Sequence, residues 1–220
     1  SERSLKLRFH TQTSGFSLTA QQPENNISRT AFQGLAAVLG GTQSLHTNSM
    51  DETLALPSQK AAEIALRTQQ LIAYESGVAN VVDPLGGSWY VEALTDQMEV
   101  EAEKYFTKID ELGGVIPAIE MGYFQREIAE AAADYQKRVD SKRRIVVGVN
   151  EFVKDNEDIE IPLLEIRKEV QDEQHKALNS LRASRDNEEV EEKLAAITNA
   201  SHNSENLIPI IIDAAKSYAT

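Results

Sequence analysis

The chain has 220 residues, 41% of them hydrophobic, which is enough length and apolar content to fold around a core. Its 35 acidic and 22 basic residues give a formal net charge of -13, which argues against a nucleic-acid partner, because phosphate binding needs clustered Lys and Arg. The absence of cysteine excludes disulfides and thiolate zinc sites and favours a cytoplasmic location, and no apolar run approaches the roughly 20 residues that span a membrane.

The first predicted element is a strand within "LKLRFHTQTSG", residues 5 to 15. Side chains at every second position of a strand point to the same face, so Arg8, His10 and Gln12 share one side. This pattern is typical of a surface strand with one wet face. It also fits a strand of a parallel (β/α)8 barrel. The bore of such a barrel is ordinarily filled with branched aliphatic side chains, so a polar inward face would line a bore that holds a ligand. The Thr-Ser-Gly ending then lies at the carboxyl end, where such barrels place their chemistry, and Gly15 allows another group to approach the backbone.

The next elements alternate helix and strand. Helical spacing of apolar residues predicts a helix from Ile27 to Leu39, capped by Ser28 and ended by Gly40. A short strand in "TQSLHTN", a helix in "PSQKAAEIALRTQQLIAYES" opened by Pro57, and a strand in "ANVVDP" follow. This β-α-β-α-β order predicts an α/β fold with a parallel sheet and right-handed crossovers.

The second half of the chain is predicted to be mainly helical. A long amphipathic helix spans "GSWYVEALTDQMEVEAEKYFTKIDELGG", and one strand remains in "RIVVGVN" at 144 to 150. The shorter helices are predicted at 115–120, 124–139, 166–184, 187–199 and 205–218. The acidic stretch 151–162 is the best linker candidate. The predicted divisions are 1–92 for the strand–helix units, 93–150 for the following helices and last strand, and 151–220 for the helical end.

The second predicted strand is also polar. Ser44, His46 and Asn48 alternate on one face, while Gln43 and Thr47 lie on the other, so either face brings polar groups inward. A lone histidine is more often structural than a ligand. The four histidines of the sequence lack metal-binding spacing, so no metal site is expected within this chain. No phosphate-binding loop, GxGxxG or GxSxG is present, which argues against nucleotide hydrolysis, dinucleotide binding and the usual hydrolase elbow.

Four blocks of the sequence carry a family resemblance. "RFHTQTSGFSLTAQQPENNISRT", "GGTQSLHTNSMDETLALP", "ALRTQQLIAYESGVANVVDPLGGSWYVE" and "RVDSKRRIVVGVNEF" occur in this order. Together they resemble the large subunits of the methylmalonyl-CoA mutase family, the adenosylcobalamin-dependent acyl-CoA mutases, over essentially the whole chain. The resemblance implies the carboxyl-terminal part of a (β/α)8 TIM barrel, followed by a helical extension toward a cobalamin-binding domain.

The resemblance also implies the chemistry. In this family the Co–C bond of the cofactor breaks homolytically, and the thioester group of the acyl-CoA migrates to the neighbouring carbon, so the enzyme is an isomerase. The residues that look like substrate-side positions are Arg3, Arg8, His10, Gln12 and Gln43, with His10 and Gln12 as catalytic candidates. The residues that look like adenosylcobalamin-side positions are Gly15, Glu52 and Ala55.

Two departures from the family pattern define the expected partners. The cobalt-ligating motif D-x-H-x-x-G is absent, and "DEQH" at 172–175 does not fit it, so the cobalt ligand must come from another domain or chain. The first half of the barrel is absent too, and three strands cannot close an eight-stranded barrel. We therefore expect the chain to be a piece of a longer, oligomeric mutase and to be inactive alone.

Two alternatives remain open from the sequence. One is a relative that acts on isobutyryl-CoA or another branched acyl-CoA, because the residues that separate these substrates lie mainly in the absent half. The other is a non-catalytic interaction module that keeps the scaffold of the family.

Overall fold

The computed structural model describes residues 3, 6–155, 161–203 and 205–220, and the chain divides into two compact units, Ser1–Leu164 and Glu165–Thr220. The first unit contains β1 (His10–Gln12), α1 (Asn25–Leu39), β2 (Ser44–His46), α2 (Gln59–Tyr74), α3 (Trp89–Glu111), α4 (Val115–Glu120) and α5 (Tyr123–Asp140). The second contains α6 (Lys168–Ser184), α7 (Asn187–His202) and α8 (Leu207–Lys216). Part of the predicted linker at 151–162 lies outside the described residues, and the three-part division stays a prediction.

The two strands form a parallel pair, as the β-α-β order predicts. In the register of this pair, His10 lies opposite Ser44, and Gln12 lies opposite His46. The helix-rich chain with a small parallel sheet is compatible with the α/β class. Because both strands run in the same direction, their carboxyl ends meet at one edge of the sheet, where the chain continues into two polar loops.

The first strand is shorter than predicted. Regular pairing begins at His10, so Arg8 precedes the strand and does not belong to it. The ladder continues weakly at both ends, where Gln43 N–H donates to the Phe9 carbonyl at 3.4 Å and Thr13 N–H donates to the His46 carbonyl at 3.0 Å. A strand extends only as far as its backbone forms hydrogen bonds with a neighbouring strand, and β2 pairs with β1 over these three residues.

The other two predicted strands are wrong. Within "ANVVDP" the chain forms a 3-10 turn at Val78–Asn80 and then a loop in which Asp83 has a φ of +47°. Within "RIVVGVN" there is only an isolated bridge between Val147 and Glu151. Among the described residues neither segment finds a neighbouring strand, so the β-branched residues that favour extended structure have no ladder to join.

Helix α1 packs through small and polar residues. The residues buried along its inner face are Asn26, Thr30 and Gly34, spaced by four, whereas the predicted apolar positions are only half-buried. A Cβ at Gly34 would lie 3.1 Å from Ile72 Cδ1, which shows how closely α1 and α2 approach. The predicted cap at Ser28 is wrong, because the helix already begins at Asn25.

Helix α2 begins at a side-chain cap. Ser58 accepts a hydrogen bond from Ala61 N–H at 3.2 Å, so Pro57 precedes the cap and is not the first helical residue as predicted. Toward the sheet, Thr47 Oγ1 donates to the Ala65 carbonyl at 2.8 Å, and Gln69 Nε2 donates to the Leu45 carbonyl at 3.0 Å. These bonds hold α2 against β2 and so fix the start of the loop between them.

The segment after α5 returns to the start of α1. Arg29 Nη2 donates to the Val147 carbonyl at 2.7 Å, and Gln22 Nε2 donates to the Phe152 carbonyl at 2.9 Å. Asn150 shapes the segment, because its amide donates to the carbonyls of Val139 and Arg144 at 2.8 and 2.7 Å. The stretch predicted as a last strand is therefore an ordered loop.

The second unit contains α6, α7 and α8, all close to the predicted ranges. Val190, Ala200 and Ala214 are its buried apolar residues, and they lie on α7 and α8. Arg185 Nη1 donates to the Tyr218 carbonyl at 2.6 Å, which ties the end of α6 to the end of the chain. Across both units, none of the described helices is long and apolar enough to cross a membrane.

Candidate functional site

The candidate site lies where β1 and β2 end side by side. Residues 13–17 continue β1 into a 3-10 turn at Gly15–Ser17, and residues 47–58 join β2 to α2. Thr13, Asn48 and Asp51 are buried in this region. Buried polar groups need partners, so the hydrogen bonds of these residues determine how the two loops are arranged.

Asn48 is the centre of the site. Its backbone N–H donates to Thr13 Oγ1 at 2.9 Å. Its side-chain amide forms hydrogen bonds with two backbone groups of the turn after β1. The amide oxygen accepts from Gly15 N–H and the amide nitrogen donates to the Thr13 carbonyl, each at 3.2 Å. The amide nitrogen of Gln12 lies 3.3 Å from the same group. One buried amide thus joins the end of β2 to the turn that follows β1.

Gly15 and Glu52 face each other across this edge. A Cβ built on Gly15 would lie 3.1 Å from the Asn48 amide and 3.4 Å from Glu52 Oε1. The first distance is tighter than ordinary contact, so the missing side chain leaves a gap that the neighbouring groups nearly fill. Glu52 is exposed, and its carboxylate has no hydrogen-bond partner among the described residues. Of the predicted cofactor-side residues, the structure brings Gly15 and Glu52 together.

Ala55, the third predicted cofactor-side residue, lies in the same loop. Its N–H donates to the Asp51 carbonyl at 3.1 Å, beside the shorter bond from Leu54 N–H to the same oxygen. Ala55 is half-buried. The same turn that begins at Asp51 therefore fixes the backbone of Ala55, whose side chain is small.

The polar face of β1 carries His10 and Gln12. The Nδ1 atom of His10 lies 2.8 Å from Ser44 Oγ on β2, so the ring is oriented by the neighbouring strand. Both His10 and Gln12 are exposed. The paired strands hold the two side chains on one face, as the spacing predicts, and leave His10 Nε2 without a bond to any described residue.

Gln43 has a different environment from the one expected of a ligand-binding amide. Its Oε1 accepts from Phe9 N–H at 2.9 Å, and its Nε2 donates to the Gly41 carbonyl. The side chain thus extends the strand ladder before the first regular pair. Its polar atoms satisfy backbone groups of its own and the neighbouring strand.

The two predicted cationic residues lie outside this cluster. Arg8 is exposed in the segment before β1, and no described residue forms a hydrogen bond or ion pair with its side chain. Arg3 is exposed in a turn closed by a 3.3 Å bond from Lys6 N–H to its carbonyl. The structure does not join either cation to His10 or Gln12.

A small cavity lies beside the loop between β2 and α2. Its volume is about 230 Å³. The residues that line it include His46, Ser49, Glu52, Pro57, Leu66 and Gln69. Residues of α2 and Glu52 line the cavity, and Gly15 and Asn48 do not. In the part of the chain that the structure describes, no group of three His, Asp or Glu residues is arranged to hold a metal ion.

The sequence patterns do not identify Thr13, Asn48 and Asp51 as the residues that organise the site. The alternation places Asn48 only on one face of a strand, and no pattern singles out Asp51. A usable signal is the run "TNSMD", in which three residues with short polar side chains follow directly after β2. Such side chains bind nearby backbone groups and fix loops.

The comparisons with known proteins agree across the whole chain. The family model described as "Methylmalonyl-CoA mutase" matches residues 1–220. The chain is 48% identical to "Methylmalonyl-CoA mutase" of Escherichia coli (strain K12), with 99% of the chain covered. It is 46% identical to "Probable methylmalonyl-CoA mutase, mitochondrial" of Caenorhabditis elegans, with 100% covered.

A relative with a different named substrate is about as similar. The chain is 44% identical to "2-hydroxyisobutanoyl-CoA mutase large subunit" of Aquincola tertiaricarbonis, with 99% of the chain covered. The chain spans 30% of the length of the first two relatives and 39% of the third. The likeness therefore concerns about a third of each of these longer proteins.

Proposed function

Because the chain belongs to the methylmalonyl-CoA mutase family, we propose that it forms the carboxyl-terminal part of the catalytic (β/α)8 barrel of an adenosylcobalamin-dependent mutase. The helices after the barrel region form an extension toward a cobalamin-binding domain. The proposed reaction interconverts methylmalonyl-CoA and succinyl-CoA by rearrangement of the carbon skeleton. The observation that carries the proposal is the meeting of Gly15, Asn48 and Glu52 at the carboxyl ends of two adjacent parallel strands.

The residues at this edge fit adenosylcobalamin. When bound, the cofactor supplies a Co–C bond that breaks homolytically and initiates the rearrangement. Gly15 has no side chain, so Asn48 and Glu52 can pack close to its backbone at the edge that the ligand would cover. Glu52 offers an exposed carboxylate that can accept hydrogen bonds from hydroxyl or amide groups, and Ala55 adds a small apolar contact. A ligand that covers this edge also excludes water from it.

The polar face of β1 suits the acyl-CoA. His10 is oriented by Ser44, and the exposed Gln12 amide lies beside Asn48, so both can donate hydrogen bonds to a ligand on this face. Neutral donors held in this way stabilise a thioester or carboxylate oxygen during rearrangement. In this proposal Arg8 and Arg3 supply positive charge for anionic parts of the substrate. Gln43 acts from the start of β2, mainly by holding the strand pair.

The proposed site is completed by other parts of the protein. The cobalt-ligating motif of the family is absent from this sequence, and "DEQH" at 172–175 does not fit it, so in this proposal the cobalt ligand comes from a separate domain or subunit. The remainder of the barrel supplies the strands that would flank β1 and β2. We further propose an oligomeric, cytoplasmic enzyme, in keeping with a sequence free of cysteine.

A second candidate is a mutase for another branched acyl-CoA. The specific observation in its favour is the 44% identity to the 2-hydroxyisobutanoyl-CoA mutase large subunit, close to the values for the methylmalonyl-CoA mutases. A substrate panel separates the two candidates. Turnover of methylmalonyl-CoA supports the first, and turnover of only 2-hydroxyisobutanoyl-CoA or isobutyryl-CoA supports the second.

The test of the proposed function compares the isolated chain with the assembled mutase. With adenosylcobalamin and methylmalonyl-CoA, the assembled protein should form succinyl-CoA and the isolated chain should not. In the assembled protein, Glu52→Ala should lower turnover at least about tenfold. The control Glu99→Ala, on exposed α3, should leave turnover unchanged.

Two outcomes would contradict the proposal. Succinyl-CoA formation by the isolated chain would show that the remaining barrel is not needed. An assembled protein that turns over none of the acyl-CoA substrates would instead favour an interaction module.

A further inference from the structure

Asp51 is a completely buried carboxylate in the loop between β2 and α2. Its Oδ1 accepts from Ser49 Oγ at 2.6 Å, and its Oδ2 accepts from Ser58 N–H at 2.9 Å. Ser49 lies near the start of the loop, and Ser58 caps α2 at its end. One carboxylate therefore joins both ends of the loop, and its charge lies beside the amino end of α2, where a negative charge is favourable.

The backbone of Asp51 organises the middle of the same loop. Its carbonyl accepts from Leu54 N–H at 2.8 Å and from Ala55 N–H at 3.1 Å. Glu52 N–H donates to the Ser49 carbonyl at 3.2 Å. The position of Glu52 relative to Gly15 is thus set by the backbone, since no described residue binds the Glu52 carboxylate directly.

We propose that Asp51 is a positioning residue that holds Glu52 and Ala55 against the ligand at the edge beside Gly15. The proposal rests on the proposed function, because it takes adenosylcobalamin as that ligand. Asp51 is fully buried and cannot touch the cofactor. It acts through Glu52, whose carboxylate must meet the ligand at a fixed place for its hydrogen bonds to form.

The test is a double-mutant cycle on adenosylcobalamin affinity, measured by spectroscopic titration of the assembled mutase. Asp51→Ala removes both side-chain contacts and should weaken binding about tenfold. Asp51→Asn can accept from Ser58 N–H and donate to Ser49 Oγ, so it should stay within about twofold of the wild type. In the Glu52→Ala background, Asp51→Ala should change the affinity by less than about threefold.

Control variants separate positioning from general destabilisation. Asn187→Ala removes two side-chain hydrogen bonds at the start of α7, in the second unit, and should leave cofactor affinity unchanged. If Asp51→Ala does not fold, Ser49→Ala removes one of the two contacts and should weaken binding about threefold, again only when Glu52 is present.

The outcomes distinguish this proposal from the proposed function. Equal losses with and without Glu52, or a loss in Asp51→Asn as large as in Asp51→Ala, would overturn the positioning role while cofactor binding stands. A wild-type assembled protein that does not bind adenosylcobalamin would overturn the proposed function and this inference with it.

Discussion

At the residue scale, position 15 requires glycine because a side chain would meet its neighbours too closely, and not because the backbone there has an unusual conformation. A Cβ there would lie 3.1 Å from the Asn48 amide, a group held on both sides by Thr13 and Gly15 itself. Because the amide is buried and bonded, it cannot move aside without losing those bonds. A side chain at position 15 would therefore press on the Asn48 amide and on Glu52, the two groups that border the proposed cofactor edge.

The first prediction concerns this close contact at position 15. Gly15→Ala should weaken adenosylcobalamin binding about ten- to hundredfold, because overpacking costs ~1–3 kcal/mol, and Gly15→Val should weaken it further. Spectroscopic titration of the assembled protein measures the affinity. Gly40→Ala is the matched control, since a Cβ there meets only ordinary contacts at 3.4 Å and beyond. Unchanged affinity in Gly15→Ala would remove Gly15 from the cofactor site.

Two glutamines differ in what their amides bind. Gln43 bonds the backbone of Phe9 and Gly41, whereas Gln12 is exposed on the polar face of β1 next to Asn48. The sequence predicts ligand positions for both. The contacts indicate that Gln43 also stabilises the strand pair.

The second prediction separates these roles. Gln43→Ala should lower the free energy of unfolding by about 1 kcal/mol, the usual contribution of a hydrogen bond. Gln12→Ala should change stability little and lower turnover, because a site amide contributes by positioning the substrate. Urea denaturation and the succinyl-CoA assay measure the two effects. A Gln43→Ala variant that loses turnover but no stability would reverse the assignment.

At the element scale, α1 is held in place by a buried amide. Asn26 Nδ2 donates to the carbonyls of Thr19 and Met50 at 2.8 and 2.9 Å, and its Oδ1 accepts from Thr19 N–H at 3.1 Å. Arg29 Nη1 donates to the same oxygen at 2.7 Å. The helix thereby holds the loops that follow β1 and β2, which carry the candidate site.

The third prediction tests this connection. Asn26→Leu should lower the free energy of unfolding by about 3 kcal/mol, because it leaves the backbone groups of half-buried Thr19 and the carbonyl of buried Met50 without these partners. Asn25→Ala, the neighbouring control, loses one bond to Gln22 and should cost about 1 kcal/mol or less. Urea denaturation followed by circular dichroism measures both. Similar small losses would mean that the loops are held by other contacts.

Helices α3 and α5 are linked by a titratable pair. Tyr105 Oη donates to Glu127 Oε2 at 3.1 Å. The hydrogen bond and the negative charge of Glu127 raise the pKa of Tyr105, since both favour the protonated phenol. The stabilisation is therefore present below the ordinary tyrosine pKa and is lost as pH rises through the raised value.

The fourth prediction follows from that sign. Glu127→Gln should lower the pKa of Tyr105 toward its usual value, as seen in the ultraviolet absorbance of the phenolate. Tyr105→Phe identifies which part of the titration belongs to this residue. A pKa that does not change in Glu127→Gln would mean that the two side chains do not interact in solution.

The sequence predicts the helices far better than the strands for a physical reason. Each of the eight helices in the described part of the chain lies close to a predicted range. A helix satisfies its hydrogen bonds locally, so spacing and caps suffice to predict it. A strand needs a neighbour that sequence patterns do not supply. The segments around Val82 and Val147 have the composition of strands, yet among the described residues they join no ladder.

At the scale of the whole molecule, the sequence indicates that Gly15 and Glu52 lie near each other but not what holds them there. The proximity of Gly15 and Glu52 was implied by the family resemblance and agrees with the fold. The buried bonds of Asn48 and Asp51 could not be predicted, because they depend on how two loops distant in sequence pack together. Both strands of the small sheet also lack flanking partners among the described residues, which accords with a chain that spans 30–39% of the relatives compared.

The central claim is that the carboxyl ends of β1 and β2 bind the cofactor and substrate of a mutase. Amide hydrogen exchange in the assembled protein, with and without adenosylcobalamin and acyl-CoA, tests it most directly. Exchange at Phe9 to Gly15 and at Asn48 to Ala55 should slow when the ligands are added, whereas exchange in α7 should not change. Unchanged exchange at both strand ends, in a protein that binds these ligands, would contradict the claim.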